Sequence, residues 1–468
     1  MVDLAYMSAI ELIEHYRDRS LSPVEVARYL LDRIEQYNPI INAFRLVDEA
    51  TTLAMAQASE QRWSQGEPWG LLDGVPISIK DLVTTKGWST LRGSKAIDPN
   101  QAWSVDAPVV ARLREHGAVF IGKTNTPESG HKVVTQSPLT GITRNPWNLD
   151  KTPGGSSGGA AAALASGIGS LAVGTDGAGS IRIPAAFCNV FGLKPTWGRV
   201  PVYPVSTFGR MSTIGPMART VSDAALMYTV ITQPDDRDCF ALPYDKRDYL
   251  QDIDKGVRGL RIAFSPNLGQ PCAVDPEISQ LVEQAAQAFE QLGAEVEVVH
   301  INWEFDLLEM FLPIWYANYA NFLQLYQPEQ IQLMDSALLA IAAAGQRLSL
   351  LDYFTAMNQK GIICAQVQEL FHRYDLLITP TMPIPAFDAG LLRPQDFVDD
   401  WSWVPFTYLF NLTEQPAASI PCGFISDGLP VGLQIAGPLY SDALILQASY
   451  AFERAYPLFE QHPPIESL

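Results

Sequence analysis

The fold of this chain is decided by residues 152–186, which read TPGGSSGGAAAALASGIGSLAVGTDGAGSIRIPAA. From Thr152 to Thr175 there is no charged residue, and this length could in principle cross a bilayer. Seven glycines and Pro153 interrupt it, however, and divide it into a glycine loop, a short Ala-rich helix and a strand. The stretch therefore predicts a buried segment in the core of a soluble protein.

Predicted strands and helices alternate on either side of this stretch. Before it, the strand-like DGVPISIKD ends near Lys80, and GAVFIGKT, residues 117–124, follows the helical run APVVARLREH. After it, LRIAFSP, residues 260–266, and AEVEVVHI, residues 294–301, flank a predicted helix, as in a βαβ unit. The pattern predicts an α/β protein in which strands from both ends of the chain share one sheet.

Helix signals mark both ends of the chain, and the region from 303 to 410 has the least regular pattern. Ser8 is placed to cap the first helix, and Pro23 begins a second that ends near Gln36. Residues 441–456 predict a closing helix. The region from 303 to 410 is rich in aromatic residues, which indicate both core packing and the lining of a substrate pocket.

Composition narrows the class of protein. With 468 residues, of which 47% are apolar and 18% charged, the chain can bury a large core. Its net charge of -19 repels nucleic-acid backbones and anionic lipid surfaces, so we expect no direct nucleic-acid partner and no membrane. Five scattered cysteines without a CxxC pair argue against a disulfide framework or a zinc cluster, and the N-terminus lacks the features of a signal peptide. We therefore expect a cytoplasmic protein that holds no metal.

The hexapeptide GGSSGG, residues 154–159, carries the first chemical signal. Four glycines around two serines indicate a backbone in unusual conformations that other groups approach closely. The hexapeptide also matches G-x-S-x-G, the nucleophile elbow, with Ser156 at its centre. An elbow sits directly between a strand and a helix. A polar loop with proline, NPWNLDKTP, precedes these glycines, so an elbow is not favoured.

The second chemical signal is TDGAGSIR, residues 175–182. Its small residues expose consecutive backbone N–H groups just before Ser180, at the predicted start of a helix. If Ser180 attacks a carbonyl, these amides are placed to stabilise the oxyanion, at roughly 3 kcal/mol per donor. The amides concerned are those of Gly177, Ala178, Gly179 and Ser180. Taken alone, the segment also fits a serine that caps a helix after a glycine-rich turn.

A serine nucleophile needs a base, and Lys80 is the best candidate. None of the six histidines lies in a glycine-rich context. Lys80 ends an otherwise apolar strand, and burial can lower the pKa of a lysine by up to about 3–5 units, which would make it a useful base at neutral pH. A lysine at a strand end can equally extend its amine to the surface.

In combination, these motifs resemble the amidase signature family, whose members use a Lys–Ser–Ser triad in place of Ser–His–Asp. The family's base corresponds to Lys80 in PISIKD, its bridging serine with a cis peptide bond to Ser156, and its nucleophile to Ser180. Ser180 follows Ser156 by 24 positions, which is the family's spacing. Further similar blocks are GKTN, TRNPWN, GLKPTWGRV, TPTMP, FNLTEQPAASIPCG and LPVGLQIAGP.

For the fold, the resemblance implies a single α/β domain, residues 1–468, with a large mixed β-sheet covered by helices on both faces. Within it we expect an N-terminal helical appendage at 1–70 and a signature core at 72–221. The variable region at 303–410 is expected to form the substrate pocket.

For the chemistry, the resemblance implies an amidohydrolase that cleaves a small-molecule carboxamide through an acyl-enzyme on Ser180, without a cofactor. Ser157 and Asp176 match family positions that support the triad by hydrogen bonds, and Arg182 matches a position near it. Ala178 stands where the family usually has glycine, and a positive φ there would strain the loop by on the order of 1 kcal/mol. The resemblance leaves the oligomeric state open, a homodimer included.

Two other functions stay open at this point. The blocks also suit the glutaminase component of a tRNA-dependent amidotransferase, which shares the signature and passes ammonia to a partner protein. A catalytically inactive binding or scaffold protein would keep the same fold. The intact Lys80, Ser156 and Ser180 argue against this last alternative.

Overall fold

The computed structural model describes residues 4–397 and 399–467. Residues 1–3, 398 and 468, which belong to the predicted single domain, lie outside this part of the chain. Eleven of the described strands form one mixed sheet, and two more form a short hairpin. The strands are β1 Phe44–Leu46, β2 Pro76–Lys80, β3 Val119–Thr124, β4 Gln136–Ser137, β5 Gly141–Ile142, β6 Leu171–Asp176, β7 Phe191–Lys194, β8 Thr213–Ala218, β9 Arg261–Phe264, β10 Glu295–Val298, β11 Leu376–Pro380, β12 Ala417–Phe424 and β13 Pro430–Ala436.

The main sheet has the strand order β1-β3-β2-β6-β8-β7-β12-β13-β11-β9-β10. In one half, β2 pairs in parallel with both β3 and β6, whereas β6 pairs antiparallel with β8. In the other half, β9 is parallel to both β10 and β11, and β12 and β13 are antiparallel. Strands from both ends of the chain therefore share one sheet. The predicted α/β class with a large mixed sheet is confirmed.

Helices pack against this sheet. Those of the described residues are α1 Ala9–Asp18, α2 Pro23–Ile41, α3 Glu49–Gln65, α4 Pro108–Glu115, α5 Gly158–Ala165, α6 Arg182–Cys188, α7 Val221–Ile231, α8 Pro276–Gln291, α9 Leu307–Leu323, α10 Pro328–Ile331, α11 Ser336–Gln346, α12 Leu350–Arg373, α13 Leu409–Leu412 and α14 Asp442–Ala455. The helix α8 connects the parallel strands β9 and β10, so the predicted βαβ unit is confirmed. Every residue of α5 and almost every residue of α7 is buried, because both helices are apolar on most sides. No described helix is long and apolar enough to cross a membrane.

The N-terminal segment is more than the helical appendage that the sequence predicts. Ser8 caps α1 in a capping box, as expected. Pro23 begins α2, but this helix runs to Ile41 and so extends beyond Gln36. The short strand β1 then pairs antiparallel with β3. Residues 1–70 thus also supply an edge strand of the main sheet.

The region from 303 to 410 is also more regular than the sequence predicts. The helices α9, α10, α11 and α12 lie within it. Phe311, Trp315 and Tyr319 are spaced by one helical turn in α9, and all three are buried. The helical period was hidden because apolar residues occupy most sides of α9.

The strands β2 and β6 bring the predicted site residues together. They are parallel neighbours with Ile79 beside Val173. Lys80, at the end of β2, therefore lies near the end of β6 at Asp176. The glycine loop joins α5 at this same edge. Ligands of open α/β sheets bind at the carboxyl ends of the strands, and this edge is such a place.

Candidate active site

Lys80 is fully buried, with its amine among hydroxyl groups. Lys80 Nζ lies 2.7 Å from Ser156 Oγ, 2.8 Å from Ser157 Oγ and 2.8 Å from Thr175 Oγ1. Burial lowers the pKa of Lys80 well below its usual range, and the carboxylate of Asp176 opposes this only in part. The site therefore favours the neutral amine.

A neutral lysine has two N–H donors and one lone pair, and the neighbours of Lys80 determine where each points. The Ser157 hydroxyl donates to the Thr175 carbonyl at 3.2 Å, so it accepts a hydrogen bond from the amine. Thr175 Oγ1 is the second acceptor. The lone pair is left for the hydroxyl of Ser156. This is the arrangement that a general base requires.

Two further lysines are fully buried but are placed differently. Burial lowers the pKa of both Lys123 and Lys194 to about 7. Lys123 Nζ donates to threonine hydroxyls in the loop after β2, and Lys194 Nζ donates to the carbonyl of Pro195. Of the buried lysines in the described part of the chain, Lys80 is the one that contacts serine hydroxyls.

The serines of the predicted relay come from two loops that lie side by side. The peptide bond between Gly155 and Ser156 is cis, as the resemblance implies. A Cβ on Gly155 would lie 2.7 Å from the backbone of Val134, so this close approach requires glycine. The Ser157 N–H donates to the Ser180 carbonyl at 3.1 Å and joins the two loops. Among the hydrogen bonds of the described residues, none links Ser156 Oγ to Ser180 Oγ.

The predicted oxyanion loop differs from expectation at one amide. The Gly179 N–H donates to Asp176 Oδ1 at 2.7 Å, so it is not free for an oxyanion. The N–H groups of Gly177, Ala178 and Ser180 have no hydrogen-bond partner within residues 4–397 and 399–467. The positive φ of the loop, 120°, falls on Gly179 and not on Ala178. The strain considered for Ala178 therefore does not arise.

Asp176 and Arg182 form a fully buried ion pair beside this loop. Arg182 Nε donates to Oδ2 and Nη2 donates to Oδ1, each at 3.0 Å. Burial alone would raise the pKa of Asp176, but the charge and hydrogen bonds of Arg182, together with Lys194 and Asn411, outweigh it and hold this pKa well below its usual range. The carboxylate also accepts from the N–H groups of Gly179 and Ile181. The pair thereby fixes the loop that presents Ser180.

Sequence reasoning missed four residues of this network. Thr175 contacts the buried amine. The other three bind the guanidinium of Arg182, which donates to Thr407 O at 2.8 Å and to Gln434 Oε1 and Asn411 Oδ1 at 2.7 Å each. Asn411 and Gln434 are isolated polar residues in apolar runs near the C-terminus. That isolation is the signal that could have identified them.

A cavity of about 130 Å³ opens beside the buried amine. Thr175 and Ser129 lie in its wall. Gly130 follows Ser129, and a Cβ on Gly130 would lie 3.3 Å from Ser156 Oγ. The cavity wall at Ser129 is thus one residue from the contact with Ser156 Oγ, whereas Lys80, Ser156 and Ser180 are not among the described residues that line it.

Aromatic side chains line another part of this cavity. Phe208 and Phe322 lie in the wall. Phe208 stacks on Trp315 with ring centroids 5.2 Å apart. A Cβ on Gly177 would lie 3.6 Å from the ring of Trp315. The aromatic cluster thus extends from the cavity to the predicted oxyanion loop.

Comparison with known proteins identifies the family. A sequence model described as Amidase matches residues 25–446. The chain belongs to the amidase family. This amidase is 39% identical over 472 residues to an acylamidase of Rhodococcus erythropolis, and the alignment covers 98% of both chains. It is an amide-hydrolysing enzyme.

Other amidase relatives match along the whole length as well. The chain is 35% identical over 490 residues to a glutamyl-tRNA(Gln) amidotransferase subunit of Carboxydothermus hydrogenoformans, with 99% of this chain and 100% of that protein covered. The crystal structure of a bacterial aryl acylamidase of the amidase signature family superimposes with a TM-score of 0.91 at 34% identity, with 97% of each chain covered.

The amidase site thus gathers residues from β2, from the glycine loop and from the loop after β6. Lys80 contacts Ser156 and Ser157 directly. Ser180 is joined to them through its carbonyl, and the Asp176 carboxylate braces the loop before it. Their catalytic roles are predictions that activity measurements must test.

Proposed function

We propose that this amidase hydrolyses small carboxamides through an acyl-enzyme on Ser180, with Lys80 as base and Ser156 as proton relay. The observation that carries the proposal is the buried amine of Lys80, 2.7 Å from Ser156 Oγ. Its other close partners, Ser157 and Thr175, act as acceptors, so its lone pair is directed at Ser156.

In the acylation step, Ser180 Oγ attacks the amide carbon and its proton passes to Ser156, while the Ser156 proton passes to Lys80. The C–N bond then breaks. Ser156 gives its proton to the leaving nitrogen and recovers one from Lys80, so the amine leaves neutral. Water repeats the sequence on the ester and releases the carboxylic acid with both serines and the lysine restored. This mechanism uses no metal and no cofactor.

The developing oxyanion is held by the free amides of Gly177, Ala178 and Ser180 in this proposal. The fourth predicted donor, Gly179, has a different role: its N–H anchors the loop to Asp176. Donors that are fixed before the reaction stabilise the transition state without a cost of reorganisation.

The relay also needs a hydrogen bond between Ser180 and Ser156. We expect substrate binding to complete it, because catalytic hydrogen bonds often tighten only in the complex with substrate. The backbone hydrogen bond between Ser157 and Ser180 supports this expectation, because it joins the two loops.

The substrate class that we propose is N-acyl amines, that is, N-substituted carboxamides, including N-acyl arylamines. The name of the acylamidase relative and that of the aryl acylamidase structure support it. The aromatic lining and the cavity of about 130 Å³ suit a small planar group. Within one amidase domain, we assign the pocket mainly to residues 202–214 and 82–107, and the 303–410 region contributes Phe322. Five free cysteines support a reducing compartment such as the cytoplasm.

The test compares Ser180→Ala, Ser156→Ala and Lys80→Met with the unaltered protein on simple N-acyl anilides. We expect each variant to lose activity by a factor of about 10⁴ or more, because the triad works as a unit. The exposed Ser64→Ala and Lys95→Met are matched controls that should retain full activity. A fluorophosphonate should label Ser180 and no other serine. Activity retained by Ser180→Ala would overturn the proposal, and failure to label would favour an inactive scaffold.

Glutamine hydrolysis for a partner protein is a second candidate. The full-length similarity to a glutamyl-tRNA(Gln) amidotransferase subunit favours it. Assaying the purified chain on glutamine beside N-acyl anilides separates the two functions. A dedicated glutaminase component should hydrolyse almost no glutamine and almost no anilide without its partner, whereas a free-standing amidase should hydrolyse the anilides.

A further inference from the structure

Arg92 is the charged side chain in the wall of the catalytic cavity. The other lining residues in the described part of the chain are apolar or bear a hydroxyl group, such as Thr84, Ala107, Ser129 and Phe322. A single cation in such a wall is unusual for a chain with a net charge of -19. We therefore expect a negatively charged group to pair with the Arg92 side chain.

The protein does not supply that counter-charge. The side chain of Arg92 hydrogen-bonds with the hydroxyl of Tyr326, a neutral partner. No salt bridge of Arg92 is found in residues 4–397 and 399–467. A buried group in electrostatic contact with it is another cation, Lys123. A guanidinium has five N–H donors, so most donors of the Arg92 side chain remain available to a ligand.

The position of Arg92 places it on the leaving-group side of the site. The N–H of Ser129 donates to the carbonyl of Arg92 at 2.7 Å. The next residue, Gly130, adjoins Ser156 Oγ, the group proposed to protonate the leaving nitrogen. Backbone contacts thus connect Arg92 to the segment beside Ser156, on the side from which the leaving amine would depart.

The backbone at this point is built to hold the arginine in place. Arg92 has a φ of 55° and Ser129 a φ of 51°, a conformation that residues other than glycine rarely adopt. The Arg92 N–H donates to the carbonyl of Asp81 at 3.0 Å, next to Lys80. Hydrogen bonds on both sides thus tie Arg92 to the two segments that frame the catalytic groups.

We propose that Arg92 binds an anionic group on the leaving amine, so that the preferred substrates are N-acyl amines that bear a carboxylate, such as N-acyl aminobenzoates. This inference rests on the proposed function. The carboxylate would form a bidentate, charge-assisted pair with the guanidinium at the end of an aromatic-lined cavity. Phe208 and Phe322 in the same wall suit the ring of an aminobenzoate.

The experiment uses 4-acetamidobenzoate and 4-nitroacetanilide, which have nearly the same shape and differ by one charge. The meta isomers of both are included to sample the reach of the guanidinium. We expect Arg92→Gln to lower kcat/KM for the benzoate by about 10- to 100-fold and to leave the nitroanilide within about threefold. Arg92→Lys should retain part of the preference, and the exposed Arg258→Gln should change neither substrate. Added salt should weaken turnover of the benzoate alone.

Equal loss on both substrates, or no loss on the benzoate, would overturn the inference. Turnover of the nitroanilide by Arg92→Gln shows that the variant is folded. If Arg92→Gln does not fold, the kinetics of Arg92→Lys and the salt dependence of the unaltered enzyme test the inference instead. If the unaltered protein hydrolyses neither compound, the proposed function fails. Calorimetric binding of 4-acetamidobenzoate to the unaltered protein and to Arg258→Gln, weaker binding to Arg92→Lys and none to Arg92→Gln would then still support the anion site, and equal binding to all four would refute it.

Discussion

Replacing Asp176 by asparagine tests whether the buried ion pair holds the catalytic loop. Asp176 and Arg182 are both 0% exposed. The carboxylate accepts from two side-chain nitrogens of Arg182, from three backbone amides and from Asn411. Asparagine keeps one acceptor oxygen and turns an NH₂ group toward these donors. Arg182 is then left as a buried cation without a counter-charge.

The size of the effect follows from this burial. Removing one partner of a buried ion pair costs about 3–5 kcal/mol. Unfolding entropy of roughly 2.1 cal/mol/K per residue gives about 1 kcal/mol/K for 468 residues, so we expect the Tm to fall by about 3–5 °C. Because the Gly179 anchor is weakened as well, we expect kcat to fall by about 10²- to 10³-fold, comparable to the loss of an oxyanion donor.

Thermal denaturation and steady-state kinetics measure both effects. Asp176→Asn, Arg182→Met and the double variant form a cycle in which the double variant should be less destabilised than the sum of the single variants. Glu115→Gln, which breaks the more exposed pair with Arg112, is the control and should shift the Tm by less than about 1 °C. An unchanged Tm for Asp176→Asn, or strictly additive losses, would refute the reasoning.

Three further predictions concern the same site. Because burial lowers the pKa of Lys80 and its neutral form is the base, kcat/KM should rise with pH through one ionisation well below pH 10.5 and then stay level; a rise that continues to pH 10 would contradict this. Gly179→Ala should lose about 100-fold in kcat, since its Cβ would meet the side chain of Thr407 at a φ of 120°, whereas Ala178→Gly should stay within a few-fold. Thr175→Val should lower kcat about tenfold by removing an acceptor for the amine, and Thr175→Ser should restore it.

The burial of Lys80 also makes the free energy of unfolding depend on pH. The unfolded chain keeps the ordinary lysine pKa near 10.4, whereas the folded pKa is lower. Between these two values the unfolded state binds more protons, so the free energy of unfolding rises with pH across this window. Below the folded pKa both states are protonated and this contribution no longer changes.

The sequence was sufficient to predict the parts of the site that local pattern encodes. Lys80 ends a short apolar strand, and all of β2 is buried in the structure. The small residues before Ser180 left few side chains that could cover the backbone amides. In each case the local pattern also fitted an alternative, a surface lysine or a serine that caps a helix, and the resemblance to the amidase signature family decided the prediction.

The rest depends on contacts between distant segments, which a local pattern does not contain. Gln434 and Asn411 bind Arg182 across more than 200 positions of sequence. The use of the Gly179 amide by Asp176 depends on the φ of a single glycine. The edge strand β1 has three residues, too few for an alternating pattern to be recognised.

The ion pair also explains how a carboxylate can lie near the base without disabling it. Asp176 raises the pKa of Lys80, and an unpaired buried carboxylate would hold a proton on the amine. Arg182 places a positive charge against both oxygens of Asp176 and so opposes its field at the lysine. Burial is then the dominant influence on Lys80. The enzyme thus combines a carboxylate that positions the oxyanion loop with a neutral amine at the end of the neighbouring strand, and it can do so because the guanidinium is as deeply buried as the carboxylate.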